Sequence, residues 1–300
     1  MIDFLIIGAP KSGTSWLAHN LARNPNCFMP HQEIHYYSRY FESHSPQWYA
    51  AFFADRQPGQ LVGERSNTYM TDPRSPDRIQ RELPDAKLIA ILRNPVERAY
   101  SGYCMRLNRG FVSADISSEL DPENPKAREI LENGLYSVQL GRFLDRFSRE
   151  QVHVALYDDI LTRPYELMGD ISRYLGVPTQ FDKESMDRRH NEKKIYGIKP
   201  GYKQLLGPIM RSEHLRTKII KSLRSSQWGK TMLRFFSGNL SYPPFSEAVR
   251  SRLVAYYSEE VSMISKFTGR NLDNWLAIAN PAENGSDTLY LNGNDKHFLA

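Results

Sequence analysis

Phe4-Leu5-Ile6-Ile7-Gly8-Ala9-Pro10-Lys11-Ser12-Gly13-Thr14-Ser15-Trp16-Leu17 is the stretch that decides the fold. A short apolar run stops at a glycine, turns through Pro10 and Gly13, and resumes with hydroxyl residues that open a helical pattern. A strand covered on both faces reads this way, because it needs no polar alternation. The turn after it aims backbone N–H groups and the positive end of the helix dipole at one point, which suits an anion. Gly8 and Gly13 permit close approach, Thr14 and Ser15 supply hydroxyls, and Lys11 adds a full charge. The order differs from the GxxxxGK[ST] phosphate loop, where lysine follows the second glycine; here Thr14 stands there.

Two more apolar runs have the same character, residues 87–92 and 152–157, with a weaker one at 61–64. Helical periodicity lies between and after them, at 15–24, 95–109, 135–147 and 161–175. This alternation predicts one α/β domain over residues 1–280, with a parallel sheet of about five strands, flanking helices and right-handed crossovers. Residues 111–125 read as an exposed loop, 213–236 as a basic amphipathic pattern, and 245–267 as a last helix. Residues 281–300 read as a loose tail. No internal repeat is present.

The chain has 300 residues, 40% hydrophobic and 24% charged, with 17 Tyr, 14 Phe and 4 Trp. That is ample core material, so disordered, collagen-like and coiled-coil classes are excluded. Two cysteines, Cys27 and Cys104, cannot build a disulfide framework, and no CxxC pair offers a structural zinc site. The first apolar run is too short for a signal peptide or a membrane span, and it follows Asp3. The expectation is a cytoplasmic protein of bacterial type. Formal net charge is +5, yet residues 188–234 hold 13 Lys/Arg against Glu192 and Glu213. Such a segment is either a set of solvated helix faces or a contact for an anionic ligand, a glycan, a membrane surface or nucleic acid.

The Pro10–Leu17 residues quoted above resemble the loop with which sulfotransferases hold the 5′-phosphosulfate of 3′-phosphoadenylyl sulfate (PAPS). A second stretch, Leu92-Arg93-Asn94-Pro95-Val96-Glu97-Arg98-Ala99-Tyr100-Ser101, resembles that family's 3′-phosphate element. The resemblance implies a P-loop-like three-layer fold related to nucleotide kinases. It also implies nucleotide contacts by Lys11, Ser12, Gly13, Thr14, Ser15, Trp16, Arg93 and Ser101. Independently of the resemblance, an arginine at the carboxyl end of a strand stands where open α/β sheets bind ligands, and a guanidinium can grip phosphate bidentately. The stretch Arg188-Arg189-His190-Asn191-Glu192-Lys193-Lys194 takes the place of the family's loop over the 3′-phosphate, which puts Lys193 and Lys194 there, with Asn191 as a further member.

Transfer of a sulfuryl group to a hydroxyl needs a base for the proton and cations for the leaving oxygen. His31-Gln32-Glu33-Ile34-His35-Tyr36-Tyr37 resembles the Glu-x-His-Phe-Phe segment of the heparan-type glycan sulfotransferases. By that resemblance Glu33 is the base, His35 lies beside it, and Lys11 is the leaving-group cation. Gly63-Glu64-Arg65-Ser66-Asn67-Thr68-Tyr69 resembles another family segment, with Arg65 in place of a lysine; fork and point charge are not interchangeable. Gly134-Leu135-Tyr136 resembles a family Gly-x-Tyr whose tyrosine lies near the acceptor, although a core tyrosine reads equally well.

The expected reaction moves a sulfuryl group from PAPS to a saccharide or glycolipid hydroxyl, leaving adenosine 3′,5′-bisphosphate. Tyr36, Tyr37 and Tyr40 suit stacking on a sugar ring as well as plain packing. No metal is expected: His31 and His35 are four apart, but Glu33 between them matches neither HExxH nor HxxEH. No nucleic-acid partner is expected, and the basic 188–234 segment is the place for peripheral membrane contact. Two rival classes remain open at this point. One is a P-loop kinase using ATP and magnesium, which lacks the lysine after the second glycine. The other is a noncatalytic polyanion-binding protein, which leaves the two phosphate elements unexplained.

Overall fold

The strand Phe4–Gly8 (β1) is wholly buried, and its neighbours explain why. In a computed structural model, which describes residues 2–181, 196–198, 237–239 and 242–278, β1 pairs in parallel on both edges. On one side lies Leu61–Arg65 (β3), with Ile6 opposite Arg65; on the other lies Lys87–Leu92 (β4), with Ile6 opposite Ile89. Cys27–Phe28 (β2) and Val152–Leu156 (β5) close the two flanks, giving a five-stranded parallel sheet of order β2-β3-β1-β4-β5. The two residues of β2 are too few to leave a periodicity in the sequence. Strand order reverses at β1, so the crevice beyond the carboxyl ends of β1, β3 and β4 is the topological switch point.

Helices cover the sheet. Phe4 and Ile6 of β1 join Ile89, Ile91 and Ala155 in a core closed by Trp16, Leu17 and Leu21 of Thr14–Arg23 (α1). Leu167, Met168, Ile171 and Leu175 of Pro164–Leu175 complete it. The expected helix 161–175 is in fact two, Tyr157–Thr162 and Pro164–Leu175, because Pro164 has no N–H to continue the first and serves as an N-terminal residue of the second. That second helix ends at Gly176 in the left-handed region (φ 83°), where Ser172 O accepts from both Gly176 N–H and Val177 N–H. Ser75–Glu82, a helix with too few apolar residues to stand out in the sequence, connects β3 to β4.

The described chain forms two compact units. The first, Met1–Ala99 with Glu129–Glu192 and Tyr257–Leu276, holds the five-stranded sheet together with Lys11, Glu33, His35, Arg65, Arg93 and Tyr136. Within it the Tyr257 hydroxyl donates to Leu131 O at 2.6 Å, and Glu260 accepts from Ser137 N–H and Oγ–H at 2.7 Å each. The second, Tyr100–Arg128 with Lys193–Tyr256 and Ala277–Ala300, contains an antiparallel pair, Tyr196–Ile198 with Ser237–Asn239, and an Arg252–Asp121 ion pair at 3.0 Å. It also contains a one-turn helix, Ile116–Glu119, inside the expected loop. The predicted helix 95–109 is found as Pro95–Arg109, and that at 245–267 as Glu247–Thr268. The expected domain limit at 280, the tail and the 213–236 pattern as a whole lie outside the described residues.

Gly13 is the backbone hinge that places the β1–α1 turn. Its φ of 88° is costly for a residue with a Cβ, and a Cβ there would stand 2.6 Å from Ile160 Cδ1. Gly13→Ala is therefore expected to lower the unfolding free energy by about 2 kcal/mol. Adding Ile160→Val, which deletes the clashing methyl, should return part of that loss. Urea titration of the single and double variants checks it; a wild-type midpoint for Gly13→Ala would refute the constraint.

Candidate active site

Two turns meet at the switch point, one after β1 and one after β4. Ser12 is wholly buried and Lys11 is half-buried with φ 69°, a left-handed backbone outside glycine. Gly13 precedes α1 and has no side chain to cap the first N–H groups of the helix. Arg93, at the end of β4, reaches back with Nη1 3.5 Å from Lys11 O and lies over the Tyr157 ring at 4.7 Å. The Tyr136 hydroxyl donates to Arg93 O at 2.7 Å and lies beside the Ser12 side chain. Tyr136 is fully buried, so its position braces the two turns from within.

The turn after β4 is fixed from a third side. Asn94 caps its helix, accepting from Val96 N–H at 2.9 Å, and donates from Nδ2 to Trp275 O at 3.0 Å. Trp275 Nε1–H donates in turn to Asp158 at 2.7 Å. Burial raises the Asp158 carboxyl above the usual range, against the opposing pull of Trp275 and Arg93. Tyr157, Asp158 and Trp275 were not legible as site residues, because their link to Arg93 is entirely tertiary.

The other half of the site is built on the segment leaving β3. Its residues take hold of residues 33–38 in succession. Arg65 Nη1 donates to Ser15 Oγ and stands 3.7 Å from Glu33 Oε1. Ser66 Oγ accepts from His35 N–H at 2.8 Å, Asn67 Nδ2 donates to Glu33 Oε1 at 2.8 Å, and Thr68 Oγ1 meets His35 Nδ1 at 2.8 Å. His35 Nε2 lies 3.3 Å from Glu33 Oε2. His35 has φ 58°, a conformation that costs about 1–2 kcal/mol outside glycine and is held here at both ends of the residue. Behind it the fully buried Glu64 carboxylate accepts from Ser66, Tyr49 and Tyr69. Burial raises the Glu64 carboxyl, and those three hydroxyls pull the other way.

Glu33 is partly exposed, with 22% of its side chain accessible. Burial pushes its carboxyl upward, but the His35 hydrogen bond and the charges of Arg65 and Arg39 prevail and leave it below the usual glutamate range. The site thus holds an ionised carboxylate beside an imidazole and a guanidinium, and the guanidinium also touches Ser15 beyond the β1–α1 turn. An open cleft of about 440 Å³ adjoins it, with Ser38 and Thr68 in its wall together with Arg39 and Arg74.

Several expected residues fall elsewhere. Tyr36 and Tyr37 are 1% exposed and stack within a buried aromatic cluster with Tyr49, so they offer no face to a sugar; Tyr40 is exposed. Ser101 lies on Pro95–Arg109 in the second unit and is described with that unit alone. Lys193, Lys194 and most of the 188–234 segment lie outside the described residues. Among the described residues no three His, Cys, Asp or Glu gather as a metal site, and no helix is long and apolar enough to cross a membrane.

The sulfotransferase domain profile matches residues 1–196. The bifunctional heparan sulfate N-deacetylase/N-sulfotransferase 1 of Caenorhabditis elegans is 24% identical over 91% of this chain, which spans 31% of that protein. Heparan sulfate glucosamine 3-O-sulfotransferase 6 of Homo sapiens is 28% identical over 58% of the chain and 52% of its own length. The chain therefore covers about a third to a half of the curated relatives compared here. A sulfotransferase structure from Alicyclobacillus acidocaldarius shares the fold, with a TM-score of 0.67 at 22% identity over 92% of this chain and 99% of the other. Since the profile covers well over half of it, this chain belongs to the sulfotransferase domain family.

Proposed function

We propose that the chain transfers a sulfuryl group from PAPS to a saccharide hydroxyl, with Glu33 as the base. One observation carries this reading: Arg65 joins the anion turn, at Ser15, to the carboxylate Glu33. A donor held by the turn and an acceptor proton taken by Glu33 are thereby brought to one place. The turn's N–H groups, Lys11 and Arg93 suit the two phosphate ends of the nucleotide, and Ser101 is retained as a further 3′-phosphate ligand. The saccharide, free or as a glycolipid headgroup, is favoured by the names of the relatives, and the open cleft beside Thr68 leaves room for it.

In the proposed step the acceptor hydroxyl gives its proton to Glu33 while its oxygen forms a bond to sulfur. The bond from sulfur to the bridging phosphate oxygen breaks in line, and adenosine 3′,5′-bisphosphate leaves with the bonding pair. Lys11 meets the charge growing on that oxygen. Arg65 stabilises the carboxylate before the proton moves and offers its fork to the sulfuryl oxygens.

Calorimetric titration tests the donor assignment. Adenosine 3′,5′-bisphosphate should bind in the presence of a metal chelator and more tightly than ATP with magnesium; the reverse preference would overturn the reading. Arg93→Ala should weaken the bisphosphate about tenfold to a hundredfold, the loss of a charge-assisted contact, and leave adenosine 5′-phosphate nearly unchanged. Equal losses for both would remove Arg93 from the 3′-phosphate. Glu33→Gln should cut kcat at least about a hundredfold with bisphosphate affinity retained.

The pH profile has a definite sign. Glu33 acts when ionised, and its neighbours favour that form, so the acid limb of kcat/KM should lie below the ordinary glutamate value of about 4.3. Arg65→Met removes one of those charges and should move the limb upward. A limb unmoved by that change would disconnect it from Glu33.

A further inference from the structure

We propose that Thr68 and Ser38 are positioning residues that hold neutral His35 as the tautomer with hydrogen on Nε2, aimed at Glu33; the catalytic value of this rests on the reading of Glu33 as base. The inference follows from counting hydrogens along one chain of contacts. Glu33 Oε2 lies 3.3 Å from His35 Nε2, His35 Nδ1 lies 2.8 Å from Thr68 Oγ1, and Thr68 Oγ1 lies 2.7 Å from Ser38 Oγ. An ionised carboxylate only accepts, so the nitrogen facing it must carry hydrogen. In a neutral imidazole the other nitrogen is then an acceptor, and Thr68 must donate to it. Thr68 has spent its single hydrogen, so the 2.7 Å contact is a donation from Ser38.

Ser38 has a competing acceptor, His35 O at 3.3 Å. The shorter contact to Thr68 is the better hydrogen bond, and the His35 carbonyl already accepts from Arg39 N–H at 2.8 Å. The direction Ser38 to Thr68 to His35 to Glu33 is therefore the arrangement in which every group is matched. The reverse direction would set two lone pairs face to face at Nε2 and Oε2. Ser38 is 4% exposed and rigidly placed in the turn Tyr36–Tyr40, and Thr71 Oγ1 donates to the Thr68 carbonyl at 3.2 Å, so the relay starts from fixed points. Its consequence for the reaction is orientation: Nε2–H pins Oε2, and Asn67 pins Oε1, so the carboxylate plane is set before an acceptor arrives.

Nitrogen-15 NMR of histidine-labelled full-length protein at about pH 9, where imidazoles are neutral, reads the tautomer directly. The eight histidines are resolved by assigning His35 through its loss in His35→Gln. Wild type should show hydrogen on Nε2; in Thr68→Val the Nδ1 resonance should shift as that nitrogen loses its donor, and Thr68→Ser should restore it. Hydrogen on Nδ1 in wild type would overturn the proposal without any variant, as would an unchanged His35 in a folded Thr68→Val. Turnover of PAPS on desulfated heparan sulfate gives the second readout. There kcat should fall about tenfold in Thr68→Val, recover in Thr68→Ser, and leave bisphosphate affinity unchanged. Full turnover in Glu33→Gln would sink the base assignment alone, and the tautomer would still decide the positioning.

Discussion

Parallel pairing of β1 with β3 and β4 is the constraint from which the site follows. Because both neighbours run in the same direction as β1, all three strands release their chains at one edge of the sheet. Three turns that are far apart in sequence therefore emerge side by side. The first carries Lys11 to Ser15, the second Arg65 to Thr68, and the third Arg93 and Asn94. An antiparallel partner on either side would send one of these turns to the opposite edge. Close packing of the Phe4 ring on Gly63, where a Cβ would stand 2.1 Å from the ring, pins the register of β1 against β3.

The segment leaving β3 turns that convergence into a site. Its consecutive side chains cannot all point the same way, and the chain uses this. Arg65 reaches the anion turn and Glu33, while Ser66, Asn67 and Thr68 grip the backbone and side chains of Glu33 and His35 from different directions. Glu64 anchors the segment from beneath. A fully buried carboxylate is costly unless its oxygens are satisfied, and here three hydroxyls satisfy them. The same carboxylate holds Ser66, which holds the strained His35 backbone, so the cost of the left-handed residue is met by contacts that begin in the core.

Much of this was legible in the sequence, for specific reasons. Apolar runs mark β1, β4 and β5, a glycine turn follows β1, and helical periodicity beginning at a proline marks Pro95–Arg109. Lys11, Ser15, Glu33, His35, Arg65 and Arg93 carry charge or hydroxyls in recognisable order, and the fold brings their segments to one edge. What was not legible depends on contacts between distant segments. Tyr36 and Tyr37 resemble a sugar platform in sequence, yet the aromatic cluster around Tyr49 is large enough to bury them. Tyr136 reads equally as an acceptor contact or a core tyrosine, and its bond to Arg93 O comes from the fold alone. Ser38, Asn67 and Thr68 are ordinary small polar residues whose importance lies wholly in distances of 2.7–2.8 Å to partners thirty or more positions away.

The depressed Glu33 carboxyl raises a question of design, because stabilising a carboxylate weakens it as a base. The proposed donor resolves it. PAPS brings several negative charges, and like charge nearby raises a carboxyl by disfavouring its ionised form. A glutamate with no compensation would then take up a proton from solvent as the nucleotide binds and arrive at the reaction already spent. Arg65 and His35 act against that shift in advance, with Arg65 placed between the anion turn and Glu33 where both charges meet. On the proposed reading, nucleotide binding would bring this depressed carboxyl back toward a useful basicity. Both contacts come from Arg65 Nη1, whose two hydrogens face the Ser15 hydroxyl and the Glu33 carboxylate, so one cation serves the turn and the base together.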